Sequence, residues 1–311
     1  MQIYIFALID YAKILFLNIN IQRLLHLDCL DFRREISQET GLSANKKVAK
    51  FHHCKIVIYD SGKVLFIGSI HKMYNSIKGI KAPNHNTKND KGYNGNQFSF
   101  NNTIETINYL KELFDCEPKQ MLIRSIEFGV NTQPYFNPKL FIKGLLFHKG
   151  VEFEYRFKRN FAQAVHQQFI VKIYNKSNQY NMLNNTLRIE IKYLKMQELN
   201  KLGIKTLADI NIKTLNDVKL LLLKRFDEVI YYDYTINKKK LSNLQKKALL
   251  KYSNSHYWIE ELEPNRRNRP KSKLKEIIIN HSENLHQKLR NEIVEKCVIN
   301  NQLLKWQVCN N

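Results

Sequence analysis

Tyr174 stands in a segment, residues 169–175, in which Phe169, Val171 and Ile173 alternate with Lys172 and Tyr174; Lys176 follows at the same spacing. In residues 187–193, Leu187, Ile189, Ile191 and Tyr193 alternate with Arg188, Glu190 and Lys192. Side chains of a strand change face at every residue, so each segment predicts a strand with one apolar and one polar face. Residues 121–132 repeat the pattern, with Ile126, Phe128 and Val130 opposed to Ser125, Glu127, Gly129 and Asn131. A glycine in mid-strand often marks the close approach of a backbone or a ligand. With these three strands as neighbours in one sheet, Glu127 and Glu190 would bracket Tyr174 among cations.

A phenol, two carboxylates and several cations suit work on a phosphodiester. Tyrosine is a weak nucleophile, with roughly one phenol in a thousand ionised at pH 7. Cations at Lys172 and Lys176 would favour the phenolate, and a hard divalent ion, Mg²⁺ or Mn²⁺, held by Glu127 and Glu190 would polarise the phosphate. The same residues also fit a plain surface. Tyrosine is common on strands, and Glu190 could pair with Arg188 or Lys192 across a solvated face.

Other chemistries find less support. Ten histidines include the adjacent His52 and His53 but no His-x-His pair. His71 and His85, beside a basic loop, are expected at the surface, where they could touch phosphate. No GxxxxGK[ST] or GxGxxG run is present, so a nucleotide fold is unsupported. Cys29, Cys54, Cys116, Cys297 and Cys309 form no CxxC, which argues against zinc and a disulfide framework and fits a reducing cytoplasm.

The 50 Lys plus Arg exceed the 28 Asp plus Glu, for a formal charge of +22, an excess that predicts a polyanionic partner and above all nucleic acid. The apolar start MQIYIFALIDYAKILFL is broken by Asp10 and Lys13 and is expected to be a first core strand rather than a membrane span. A helix near residues 20–27 and a hairpin across Asp60-Ser61-Gly62 are expected next, its second strand running on through GSIHKMYN. HKMYN and KIYNK would then be a faint echo, each at a strand end. Residues 78–97 are Asn-, Gly- and Lys-rich and predict a loop, and residues 103–114 predict a helix. Residues 139–146 and 151–158 predict a second hairpin or edge strands. From residue 196 on, helices are expected at 196–202, 206–210, 214–230, 241–252 and 273–306. The fold expected is α+β: a mostly antiparallel sheet with packed helices over residues 1–200, then a mainly helical, basic region over 201–311. Arg266, Arg267, Arg269, Lys271, Lys273 and Lys275 enter the last predicted helix, as a reader of DNA or as a solvated linker.

FIVKIYNKSNQY followed by TLRIEIKYLK resembles the signature of rolling-circle replication initiators of small plasmids and filamentous phages. RSIEFGVNT, GSIHKMYN and NHNTKND…NQF resemble further motifs of that family in the same order, over roughly residues 8–210. LIDYAKI resembles a frequent opening, which would make residues 1–7 an extension. The resemblance implies a nicking and closing enzyme whose tyrosine, here Tyr174, takes the 5′ phosphate and leaves a 3′-OH. It implies Glu127 and Glu190 as ligands of Mg²⁺ or Mn²⁺, with Asn131 where many members have Asp, and Lys176 as a phosphate contact. Lys72, Lys172, Arg188 and His85 are read as DNA contacts. The implied partner is origin DNA, single-stranded or cruciform at the nick, with host helicase, polymerase or a second copy as further partners and no membrane. Three rivals stay open: a DNA-binding protein without the chemistry, a conjugative relaxase, and an RNA-binding protein.

Overall fold

The computed structural model describes residues 9–36 and 39–296. The expected extension at residues 1–7 and the expected helix beyond residue 296 lie outside them. In chain order, β1 (Ile9–Phe16) and α1 (Ile21–Leu25) precede β2 (Lys46–Phe51), β3 (Cys54–Tyr59), β4 (Val64–Ser69), α2 (Ile70–Ile77), α3 (Phe100–Phe114) and β5 (Met121–Thr132). Then come α4 (Pro138–Ile142), β6 (Leu145–His148), β7 (Val151–Glu152), β8 (Glu154–Arg156), β9 (Phe161–Val165), β10 (Phe169–Asn175), α5 (Lys176–Tyr180) and β11 (Leu187–Tyr193). The chain continues with α6 (Gln197–Lys201), α7 (Ile212–Asp227), β12 (Val229–Tyr231), α8 (Asn243–Tyr252), α9 (Asn268–His281) and α10 (Leu285–Lys296). The fold is α+β. The large sheet has the order β2-β3-β4-β1-β5-β11-β10-β9-β8, and each pairing for which a register is described is antiparallel.

By compactness the chain divides into two units. The first unit holds residues up to Gly129 together with Lys192–Lys219; the second holds Val130–Ile191 and Leu220–Lys296. Both β5 and β11 run unbroken through the division, each lending residues to both units.

In the first unit β1 is central, because β4 and β5 flank it and Ala12, Ile14 and Phe16 are buried on one face. Phe16 stacks on Phe114 of α3 at 3.7 Å between ring centroids. Leu15, Val57 and Leu65 close a smaller cluster. GSIHKMYN is not a strand extension. Ser69 caps α2 by accepting from the Lys72 amide at 3.1 Å, and Ile70, Met73 and Ile77 follow at helical spacing. With HKMYN on a helix, its echo with KIYNK disappears.

In the second unit Trp258, fully buried, donates from Nε1 to the Tyr252 carbonyl at 2.9 Å, within a core that includes Phe147, Leu249, Leu274 and Ile277. Residues 138–142 are helical rather than extended, since Asn137 caps them and Pro138 occupies the first turn. Residues 229–231, expected at the end of a helix, instead pair with β6. The expected long helix from residue 273 is two helices, α9 and α10, broken at Ser282 and at Asn284, whose φ is +51°. Among the described residues no helix is long and apolar enough to cross a membrane.

Candidate active site

The site is built from strand faces that burial has closed. A plain solvated surface was one of two readings of these polar faces, yet Glu127 is 7% exposed, Glu190 2% and Arg188 3%. A buried ion costs several kcal/mol unless partners replace its water, on the order of magnitude seen for desolvated charges, so each of these groups needs partners.

In the first unit the β1–β5 register slips between Ile9 and Ala12: Ile9 faces Phe128 while Ala12 faces Ile126. Asp10 and Tyr11 therefore stand opposite the single residue Glu127, a bulge of the kind that re-aims side chains. Asp10, 3% exposed, accepts from Ser69 Oγ at 2.5 Å and from Asn94 Nδ2 at 2.6 Å. Ser69 thus serves two elements, as cap of α2 and as a brace for Asp10. The loop carrying Asn94 is anchored beside α2, where Asn75 Nδ2 donates to the Tyr93 carbonyl at 2.8 Å and to Asn96 Oδ1 at 2.7 Å. His71, expected at the surface, is 2% exposed, with Nε2 2.8 Å from Asn96 Oδ1 and its ring stacked on Phe98. Lys192 Nζ lies 2.9 Å from Glu127 Oε1 and 3.9 Å from the centre of the Tyr11 ring.

In the second unit three groups converge on Glu190. Tyr174 donates its hydroxyl to Oε2 at 3.1 Å, Arg188 Nε donates to Oε2 at 2.5 Å, and Lys172 Nζ reaches Oε1 at 3.1 Å. Arg188 also donates from Nη1 to Asn131 Oδ1 at 3.0 Å. Lys176 does not continue the strand face. Asn175 ends β10 by capping α5, and the Lys176 ammonium, 1% exposed as a residue, lies 5.1 Å from the Tyr174 ring centre and 5.0 Å from that of Tyr180.

β5, β11 and β10 are consecutive in the sheet, and ligand oxygens of Asp10, Glu127 and Glu190 lie within 4.8 Å of one another. Three carboxylates are the hard oxygen donors that Mg²⁺ or Mn²⁺ takes. Such a set of oxygens could hold a divalent ion. Asp10 is the member the sequence reading missed. Its signal was an acid inside an apolar run, taken only as evidence against a membrane span.

Lys72 Nζ donates to the Lys91 carbonyl at 2.7 Å. His85 Nδ1 is 3.8 Å from Asp90, and its buried Nε2 has no hydrogen-bond partner among the described residues. Arg266 and Arg269 are exposed and Lys271 is half-buried on α9. Arg267 instead donates to the Leu262 and Ile259 carbonyls at 3.2 and 3.3 Å and lies over the Phe147 ring.

No protein-family model matches the chain, and no curated protein does. Among solved structures it is similar to the rolling circle replication initiator protein from Geobacillus stearothermophilus. The identity is 13% and the TM-score 0.35, over 79% of this chain and 95% of that one.

Proposed function

We propose that this chain initiates rolling-circle DNA replication by nicking one strand with Tyr174 and later resealing it. The observation that carries this reading is the hydrogen bond from the Tyr174 hydroxyl to Glu190, a member of the buried carboxylate cluster with Asp10 and Glu127. The charge of +22 and the ordered set of motifs support DNA as the partner.

In the proposed reaction Tyr174 Oη forms a bond to phosphorus while the bond from phosphorus to the 3′ oxygen breaks. Glu190 aligns the phenol and is the first acceptor for its proton; the leaving 3′ oxygen is protonated to a 3′-OH. Lys172, Lys176 and Arg188 set positive charge around the phosphoryl oxygens, where fixed charge acts without reorganisation. Asp10, Glu127 and Glu190 would hold a divalent ion, which when bound supplies polarisation of the scissile phosphate. The phosphotyrosine keeps the energy of the phosphodiester, so a later 3′-OH can reverse the step without ATP. Origin DNA, unpaired at the nick, is the proposed substrate, and the exposed cations of α9 are proposed to contact its flanks.

The test uses a pool of single-stranded oligonucleotides labelled at the 3′ end, with Mn²⁺ or Mg²⁺. The wild type should form a covalent adduct that survives denaturation and maps to Tyr174. Tyr174→Phe should lower adduct formation at least about a thousandfold. An adduct formed equally by the Phe variant would reject the assignment. One observation favours a second reading, a DNA-binding protein without the chemistry: Arg188 and Lys172 occupy Glu190 as counter-charges, which would compete with a cation for its oxygens. DNA binding with no adduct in the wild type would select it.

A further inference from the structure

The turn joining β8 to β9 carries a large exposed aromatic on a strained backbone. Phe157, Lys158 and Arg159 all have positive φ, at +52°, +53° and +61°. The Asn160 amide donates to the Phe157 carbonyl at 3.1 Å, so Lys158 and Arg159 are the central pair of a tight hairpin turn. Positive φ at both central positions is normally met by Asn-Gly, because side chains with a Cβ clash there. Phe157, a bulky residue in the same left-handed region, remains 75% exposed. A single exposed aromatic needs no explanation. An aromatic held in a disfavoured conformation and turned to solvent does, since neither burial nor backbone preference accounts for it.

The turn is fixed to the strand that carries the proposed nucleophile. Asn175, next to Tyr174, donates its amide to the Asn160 carbonyl at 2.8 Å and its side chain to Asn160 Oδ1 at 3.1 Å. Phe157 packs edge-on against Phe161 at 6.1 Å, and Phe161, paired with Tyr174 across the β9–β10 ladder, lies 5.4 Å from the Tyr174 ring. Three rings thus run from the turn to the hydroxyl that donates to Glu190. Arg156, Lys158 and Arg159 are exposed cations flanking Phe157 in sequence, Arg156 pairing with Glu154 at 3.2 Å and Arg159 lying over Tyr155. Aromatic faces interleaved with cations are how proteins hold single-stranded nucleic acid: bases stack, and phosphates meet the charges.

We infer that Phe157 is a stacking platform for an unpaired base of single-stranded DNA close to the phosphate presented to Tyr174. The inference rests on the proposed function for the identity of the strand, but it concerns a contact separate from the chemistry. Strain at the turn is the cost of holding the ring outward.

The test measures binding in a Tyr174→Phe background, so that cleavage plays no part. The probe is a short single-stranded oligonucleotide containing 2-aminopurine, whose fluorescence falls when it stacks. Phe157→Ala and Phe157→Gly should weaken binding about tenfold and abolish the quenching, while Phe157→Trp restores both. Glycine accepts positive φ, so Phe157→Gly should melt no lower than its parent, which separates a lost contact from a lost fold. Duplex DNA of the same sequence should bind equally to all variants. Binding by Phe157→Ala within about twofold of its parent would overturn the inference. So would a lowered melting temperature in Phe157→Gly, or tighter binding of RNA than of DNA. Binding that depends on Phe157, in a wild type that forms no covalent adduct, would sink the nicking proposal and leave the platform standing. Adduct formation with no dependence on Phe157 would do the reverse.

Discussion

The partners of Glu190 include two cations and those of Asp10 include two neutral donors, and their substitutions should differ accordingly. Glu190 accepts from Tyr174 and Arg188 and pairs with Lys172 while almost fully buried. Glu190→Gln would take a buried counter-charge from Arg188 and Lys172 and should cost roughly 3–5 kcal/mol of stability, measured by urea unfolding without metal. Asp10 is held by the neutral donors Ser69 and Asn94. Asp10→Asn should cost about 1 kcal/mol or less in the same assay, because an amide oxygen can still accept from Ser69 or Asn94. A ligand at about a hundred times its Kd stabilises a protein by about 2.7 kcal/mol. Mn²⁺ at such an excess should therefore raise the wild-type melting temperature, and Asp10→Asn should lose that rise. An equal rise in the variant would remove Asp10 from the proposed ligand set.

At the scale of elements, Gly68 decides whether β4 can lie against β3 and lead into α2. A Cβ built there would fall 2.4 Å from Cys54 Sγ and 2.8 Å from Cys54 Cα. The second atom is backbone and cannot rotate away. Gly68→Ala should therefore lower stability by roughly 1–3 kcal/mol, the range for overpacked cores, and disturb Ser69, which caps α2 and braces Asp10. A denaturant midpoint unchanged from wild type would contradict this.

At the scale of the whole molecule, stability should fall on acidification because histidines are buried neutral. His148 is fully buried, with Nδ1 2.8 Å from His166 Nε2 and Nε2 3.2 Å from Glu228, off the angle of a hydrogen bond. Burial, and then the neighbouring His166, push His148 down to about 4 against the attraction of Glu228. Burial also lowers His166 and His286. The unfolded chain takes up protons near pH 6.5, while folded His148 does not until about 4. Its contribution is therefore intact above pH 6.5 and is lost between 6.5 and 4. The loss should approach about 3 kcal/mol at the acid end, since each pKa unit is worth about 1.4 kcal/mol. Urea titrations near neutrality and near pH 4.5 should show a larger drop for wild type than for His148→Gln.

Much was legible without coordinates. The period of two in residues 121–132, 169–175 and 187–193 marks β5, β10 and β11. This is a local property, set by covalent alternation along a strand. Short polar segments were harder, because caps decide them: Ser69 starts a helix in GSIHKMYN, and Asn175 starts one at Lys176. Val229 and Ile230 read equally well as helix or strand until β6 offers them a ladder. The place of Asp10 was the least visible, for it depends on a one-residue bulge and on donors 59 and 84 positions away. An isolated strand specifies which of its side chains share a face. Only packing of distant segments decides which faces meet, in what register, and whether water is left between them, and so only the tertiary structure turned three scattered acids into one cluster.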